Sequence, residues 1–233
     1  LELDPDLAEA HLAVAMYRMY YEWDFDGAEE SFQRALDINP SLVSALYHLA
    51  WLYELYGKDE EALRLGELTK ELDPLSPFYG GWLAEQYRDA DMFDKAIEEA
   101  NETLRLRRGY PVGLLVLGET NTDLGEFDKD IEYQEKQKDN YYWSYALAAT
   151  LGKAGRIDEA RAMAQEIEKR HSAAVVIVQI YASMGDNETA YEWLLKARDD
   201  KIPWYPWLLK WYPQTEGLHD DPRVVKLAEE LGI

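Results

Sequence analysis

PSLVSALYHLAWLYELYGKDEEALRLGELTKELDP, residues 40–74, decides the fold. Apolar residues recur at three and four through Leu42, Ala45, Leu46, Leu49, Ala50, Leu52 and Tyr53, the spacing of one face of a helix. Gly57 then interrupts the pattern, as a residue that can take a left-handed helix end does. A second helical pattern runs from Asp59 through Ala62, Leu63, Leu65, Leu68 and Leu72 and stops at Asp73-Pro74, because proline cannot continue a helix. Pro40 to Pro74 is 34 residues: helix, tight turn, helix, proline.

The same unit recurs on both sides. Pro5 to Pro40 is 35 residues, with helices expected over 7–20 and 26–38 and the extra residue expected in the turn at 21–26. Further units start near Pro77, Pro111, Tyr141 and Ser172. Turn glycines align at Gly57, Gly125, Gly155 and Gly185, and small residues align at Ala28, Ala62, Ala96, Ala160 and Ala190. Short side chains at a fixed position let the two helices of a pair approach closely. The units also vary. Gly66 stands where Phe32 stands in the first unit, and Asp130 replaces the small alanine of the fourth. Asp130 to Ala160 to Ala190 are 30-residue steps, which predict shortened second helices.

This six-fold register resembles the tetratricopeptide repeat. The resemblance implies an all-α fold, a right-handed α-solenoid of antiparallel helix pairs closed by a C-terminal capping helix. It covers residues 1–199. Residues 200–233 break the pattern with KIPWYPWLLKWYPQTEGLHDD and end in a helix expected from Pro222 to Leu231, with Asp221 as its N-cap. Trp204, Trp207, Leu208 and Trp211 either cover the open face of the last repeat, as a cap, or form a docking patch for self-association. The Tyr21-Glu22-Trp23-Asp24-Phe25 turn and the Asp221-to-Ile233 ending are similar to the C-terminal repeat regions of certain bacterial signalling proteins, which lie behind cyclase, serine/threonine kinase or winged-helix domains. That likeness implies a sensory or interaction module within a larger cytoplasmic protein. Leu1 to Pro5, LELDP, reads like the tail of a second helix, since ELDP recurs at 71–74, so an excised piece of a longer chain is expected.

Composition narrows the partners. With 46 acidic and 24 basic residues the formal charge is −22, which disfavours nucleic acid and anionic lipid and favours a basic peptide or protein surface, or simply keeps the array in solution. There is no cysteine, so disulfides and thiol chemistry are excluded. No apolar run approaches a membrane-spanning length. No phosphate-binding, zinc-protease or hydrolase motif occurs. The four histidines are scattered; His11 and His48 sit on neighbouring first helices and could approach, without a third ligand marked by spacing. Neither an enzyme, a metal nor a cofactor is expected.

What the repeat does imply is a concave groove lined by one stripe of each first helix. The stripe gives Leu12, Met16 and Tyr20, then Tyr47, Trp51 and Glu54, then Phe78, Glu85, Arg88 and Asp89, then Glu119 and Asp123, then Tyr142 and Tyr145. Chaperone-binding members of the family use lysine and asparagine there to clamp a carboxylate; Leu12, Met16, Tyr47, Trp51 and Glu85 do not fit that use. Aromatic and thioether side chains beside acids suit a peptide with apolar anchors and a Lys or Arg. The alternative is that Tyr20, Tyr47 and Trp51 are core, packed on the next helix. A groove filled by the chain's own C-terminal aromatic segment would count against the peptide reading.

Overall fold

The computed structural model describes residues 4–140, 143–170, 174–210 and 212–233. Among them every regular element is helical, and the chain divides into two compact units, Leu1–Arg108 and Gly109–Ile233. The fold is an all-α solenoid of tetratricopeptide type.

The first unit holds three antiparallel pairs: α1 (Ala8–Tyr17) with α2 (Phe25–Ile38), α3 (Val43–Leu55) with α4 (Asp59–Leu72), and α5 (Pro77–Asp89) with α6 (Phe93–Leu106). The expected extra residue is not in the 21–26 turn. It widens the end of the first helix into a π-turn, Arg18–Glu22. A π-turn absorbs one residue without breaking the backbone hydrogen-bond ladder, which a longer loop would not do. The left-handed turn residue that follows is Trp23 at φ 58°, in the place Gly57 takes at φ 68° in the next pair. The turn therefore demands a conformation, and glycine only makes it cheaper.

The second unit holds α7 (Pro111–Asp123) with α8 (Phe127–Glu135), α9 (Ser144–Lys153) with α10 (Ile157–Arg170), and α11 (Ala174–Ser183) with α12 (Asn187–Asp199). The 30-residue spacing is met differently from expectation. The second helix α8 is short, at 9 residues, but α10 keeps 14, and the first helix α9 is cut to 10. Tyr141 and Ser172, the expected starts of these pairs, lie outside the described residues. Then come α13 (Tyr205–Lys210), a 3-10 turn (Pro213–Thr215), α14 (Glu216–His219) and α15 (Pro222–Leu231). Asp221 accepts a hydrogen bond from the Arg223 N–H at 2.8 Å, which caps α15.

Two interactions explain why pairs form and why they stack. Ala28, Ala62, Ala96, Ala160 and Ala190 are all at most 1 % exposed, each at a helix–helix contact where a longer side chain would hold the helices apart. Between pairs, a first-helix tyrosine donates to a glutamate on the preceding second helix: Tyr53 to Glu29 at 3.0 Å, Tyr87 to Glu67 at 2.9 Å and Tyr181 to Glu168 at 2.7 Å. In the second unit α13 packs on α11, α12 and α15. Trp207 and Leu208 are wholly buried there, and Trp204 is half-buried. Trp211 lies outside the described residues.

Candidate functional site

In the first unit the stripe residues of α3 and α5 meet in a cluster of five rings. Trp51 and Trp82 are edge to face with centroids 4.9 Å apart, Tyr47 and Phe78 likewise at 5.0 Å, and Tyr79 lies 5.7 Å from Tyr47. Such edge-on pairs add to the apolar burial of the rings. Tyr20, Tyr47 and Trp51 are buried. Phe78 is 40 % exposed, and Leu12 and Met16 are half-buried. The cluster thus has a packed interior and an open rim.

Behind the rings, one departure from the repeat decides the local chemistry. Gly66 on α4 leaves empty the volume that Phe32 fills in the first pair. A Cβ at Gly66 would lie 1.8 Å from the Gln86 Oε1, so the Gln86 side chain takes that room. A small gap of about 10 Å³ remains beside it, walled by Tyr47, Trp51, Trp82 and Leu83. From this position the Gln86 amide donates to Glu54 Oε1 at 2.6 Å. The other oxygen of Glu54, Oε2, is out of solvent and has no hydrogen-bond partner among the described residues. Burial pushes the Glu54 carboxyl up to about 8; Asp89 and Asp59 push the same way, against the Gln86 hydrogen bond. Glu54 is therefore largely protonated near neutrality. Six residues back on α3, His48 Nδ1 lies 2.9 Å from the Tyr20 hydroxyl, and burial lowers His48 to about 4. His11 does not join it: its ring donates to the Pro5 carbonyl at 2.8 Å. Glu85 and Arg88 are also buried, while Asp89 carries an ion pair with Arg88 at 2.7 Å.

The second unit arranges its first-helix face otherwise. Gln214, in the 3-10 turn, donates its amide to Glu119 on α7. It lines, together with Thr122, Ala149, Lys153 and Asp130, a small gap of about 10 Å³. Glu119, a stripe position, is buried, as are Val112, Leu115, Ala149 and Gln179 on the first helices of this unit. The chain's own C-terminal segment therefore occupies part of the face on which Glu119 was expected to meet a peptide. Tyr145 is half-buried, and Tyr142 lies outside the described residues. Within this face Asp130 fits where alanine is usual because Gly118 opposite leaves room: a Cβ there would come 2.2 Å from Asp130 Oδ1. Asp130 accepts from Thr122 at 2.6 Å, Thr150 at 2.8 Å and Gln134 at 2.9 Å. Burial raises its carboxyl, and these bonds and Lys153 oppose the rise.

Sequence reasoning found Tyr47, Trp51, Phe78 and Glu54 but missed Tyr79, Trp82, Gln86 and Gln214. Gly66 was the available signal for Gln86, since a missing aromatic must be replaced by something. Gln214 had no local signal, because its partner is 95 residues away. Among the described residues no group of three or more His, Asp or Glu could hold a metal ion, and no helix is long and apolar enough to cross a membrane.

Comparison with solved structures gives the class of the fold. The chain is similar to TTC0263, a thermophilic tetratricopeptide protein of Thermus thermophilus, at 25% identity over 76% of this chain and 98% of that one, with a TM-score of 0.65. It is also similar to a chain of the APC/C hetero-tetramer Cut9–Hcn1 (14% identity, 99% of this chain, 44% of that one, TM-score 0.63) and to PilF of Pseudomonas aeruginosa (14%, 91%, 96%, 0.57); these two show the fold alone. No protein-family model matches the chain, and no curated protein does.

Proposed function

We propose that this chain is a protein-interaction scaffold that holds a peptide or protein segment against the first-helix face of its N-terminal unit, within a larger regulatory or signalling protein of the cytoplasm. The segment carries apolar anchors and at least one Lys or Arg. The observation that carries this reading is Phe78, an exposed ring on the rim of a five-ring cluster, in a unit with 24 acidic and 10 basic residues, a formal −14. An aromatic rim supplies contact area at small entropic cost, and the surrounding acids attract a cation. Leu12 and Met16 extend the apolar lining. The reading stops at the second unit, where Gln214 already sits against Glu119.

The test is peptide display on the full chain beside Phe78→Ala. Tyr47 and Trp51 are unsuitable, because truncating a buried ring unfolds as readily as it unbinds. We expect enriched peptides with apolar anchors and a basic residue, binding at roughly micromolar strength, about −8 kcal/mol. Phe78→Ala should weaken them about ten-fold, near 1.4 kcal/mol, with an unchanged melting temperature. Peptides indifferent to Phe78, or no enrichment, overturn the reading.

A further inference from the structure

One second helix of the first unit carries an apolar stripe that the repeat does not require. Six places after the aligned small residue, the other pairs put a charge: Arg34, Glu102, Lys136, Glu166 and Lys196. At that place α4 puts Leu68. Leu65, Leu68 and Leu72 follow at three and four, so they share one flank of α4. Leu68 and Leu72 are 37 % and 39 % exposed, and Leu75, just past the helix end, is 74 % exposed. The seam beside this flank is unusual in the same way. Between α4 and α6, Lys70 and Glu99 form an ion pair at 2.6 Å. One repeat earlier, 34 residues back, those two places belong to Leu36 on α2 and Leu65 on α4, both half-buried. The seam between second helices is thus charged at α4–α6 and apolar at α2–α4.

We infer that Leu65, Leu68, Leu72 and Leu75 form a docking surface for one amphipathic helix of a protein partner, with aliphatic side chains on one face and Lys or Arg along its edges. Charge chooses this occupant. Glu60, Glu61, Glu67 and Glu71 of α4 and Asp37 of α2 are exposed on the same two helices, and Arg64 is the one exposed basic residue of α4. Such a frame attracts a cationic helix and repels an anionic lipid surface. It also opposes a second copy of this chain, which would bring the same acids against themselves. An exposed apolar patch with a polar rim marks an interaction site in proteins generally. Leucines at helical spacing accept a partner helix whose anchors follow the same spacing. The surface lies on second helices, so it is separate from the first-helix face and does not rest on the peptide reading of that face.

The test titrates the full chain into a labelled helical peptide of about five turns, with leucines at a spacing of three and four and lysines on both sides of them. We expect binding at roughly micromolar strength that weakens with added salt. Leu68→Lys with Leu72→Arg should weaken it about ten-fold. The melting temperature should stay nearly unchanged, because both leucines are exposed and other second helices carry Lys136, Lys196 and Arg170 at those two places. Phe78→Ala should leave this binding as it is, and the same peptide with glutamate for lysine should not bind. A lysine peptide that fails to bind, that binds the double variant equally well, or that is lost with Phe78→Ala overturns the proposal. So does a chain that is dimeric by light scattering and is made monomeric by the double substitution, since a second copy would then cover the stripe.

Discussion

Each unit opens a gap with one glycine and puts one buried carboxylate near it, and the two carboxylates are held by different numbers of donors. In the first unit Gly66 admits Gln86, which gives Glu54 a single donor. In the second unit Gly118 admits Asp130 itself, and Thr122, Thr150 and Gln134 converge on it. Both groups are desolvated, which favours the neutral acid. Three donors and a nearby Lys153 oppose that at Asp130; at Glu54 one donor opposes it while two acidic neighbours add to it. The number of donors that can reach a buried carboxylate, not burial alone, sets how strongly the fold opposes its neutral form.

The comparison breaks most visibly under pH. A carboxyl whose folded pKa is raised from 4.5 to about 8 is protonated in the fold and ionised in the unfolded chain between those values. Its contribution is therefore full below about 4.5 and is lost as pH rises toward 8. Glu54→Gln removes that loss. Its stability advantage over the natural chain should grow by about 1 kcal/mol per pH unit from pH 5 to pH 8 in denaturant titrations. A parallel pair of curves would refute the assignment. His48 acts in the opposite sense, since its folded value is lowered from 6.5 to about 4: its contribution is full above 6.5 and lost on acidification. That effect is common to both chains and cancels in the difference.

The same chemical change should go the other way in the second unit. Asp130→Asn places an amide nitrogen where two or three donors need an acceptor, so it should cost about 2 kcal/mol at pH 7. A neutral or stabilising result would mean that Asp130 is not held as an acceptor. The smallest effect belongs to Gln86→Ala. Losing the one donor to Glu54 should cost about 1 kcal/mol at pH 8, where the charged form is populated, and less at pH 5. Equal losses at both pH values would show that Gln86 matters only as filler for the Gly66 gap.

The sequence by itself determined the helix pairs. Proline stops, turn residues and aligned alanines are local signals, and each has a local physical cause: a forbidden backbone hydrogen bond, a left-handed turn, a close helix contact. Gly57 and Ala62 could be read without knowing anything distant. The tertiary structure alone decided which stripe residues are buried and what fills the gaps. The π-turn at Arg18–Glu22 depends on whether one surplus residue is cheaper in a helix or in a loop. The burial of Tyr47 and Trp51 depends on Trp82 and Tyr79 arriving from the next pair. The meeting of Gln214 with Glu119 spans 95 residues and leaves no periodic trace. Periodicity reports which face of a helix is apolar; only packing reports what lies against that face, because that is a property of the neighbours and not of the helix.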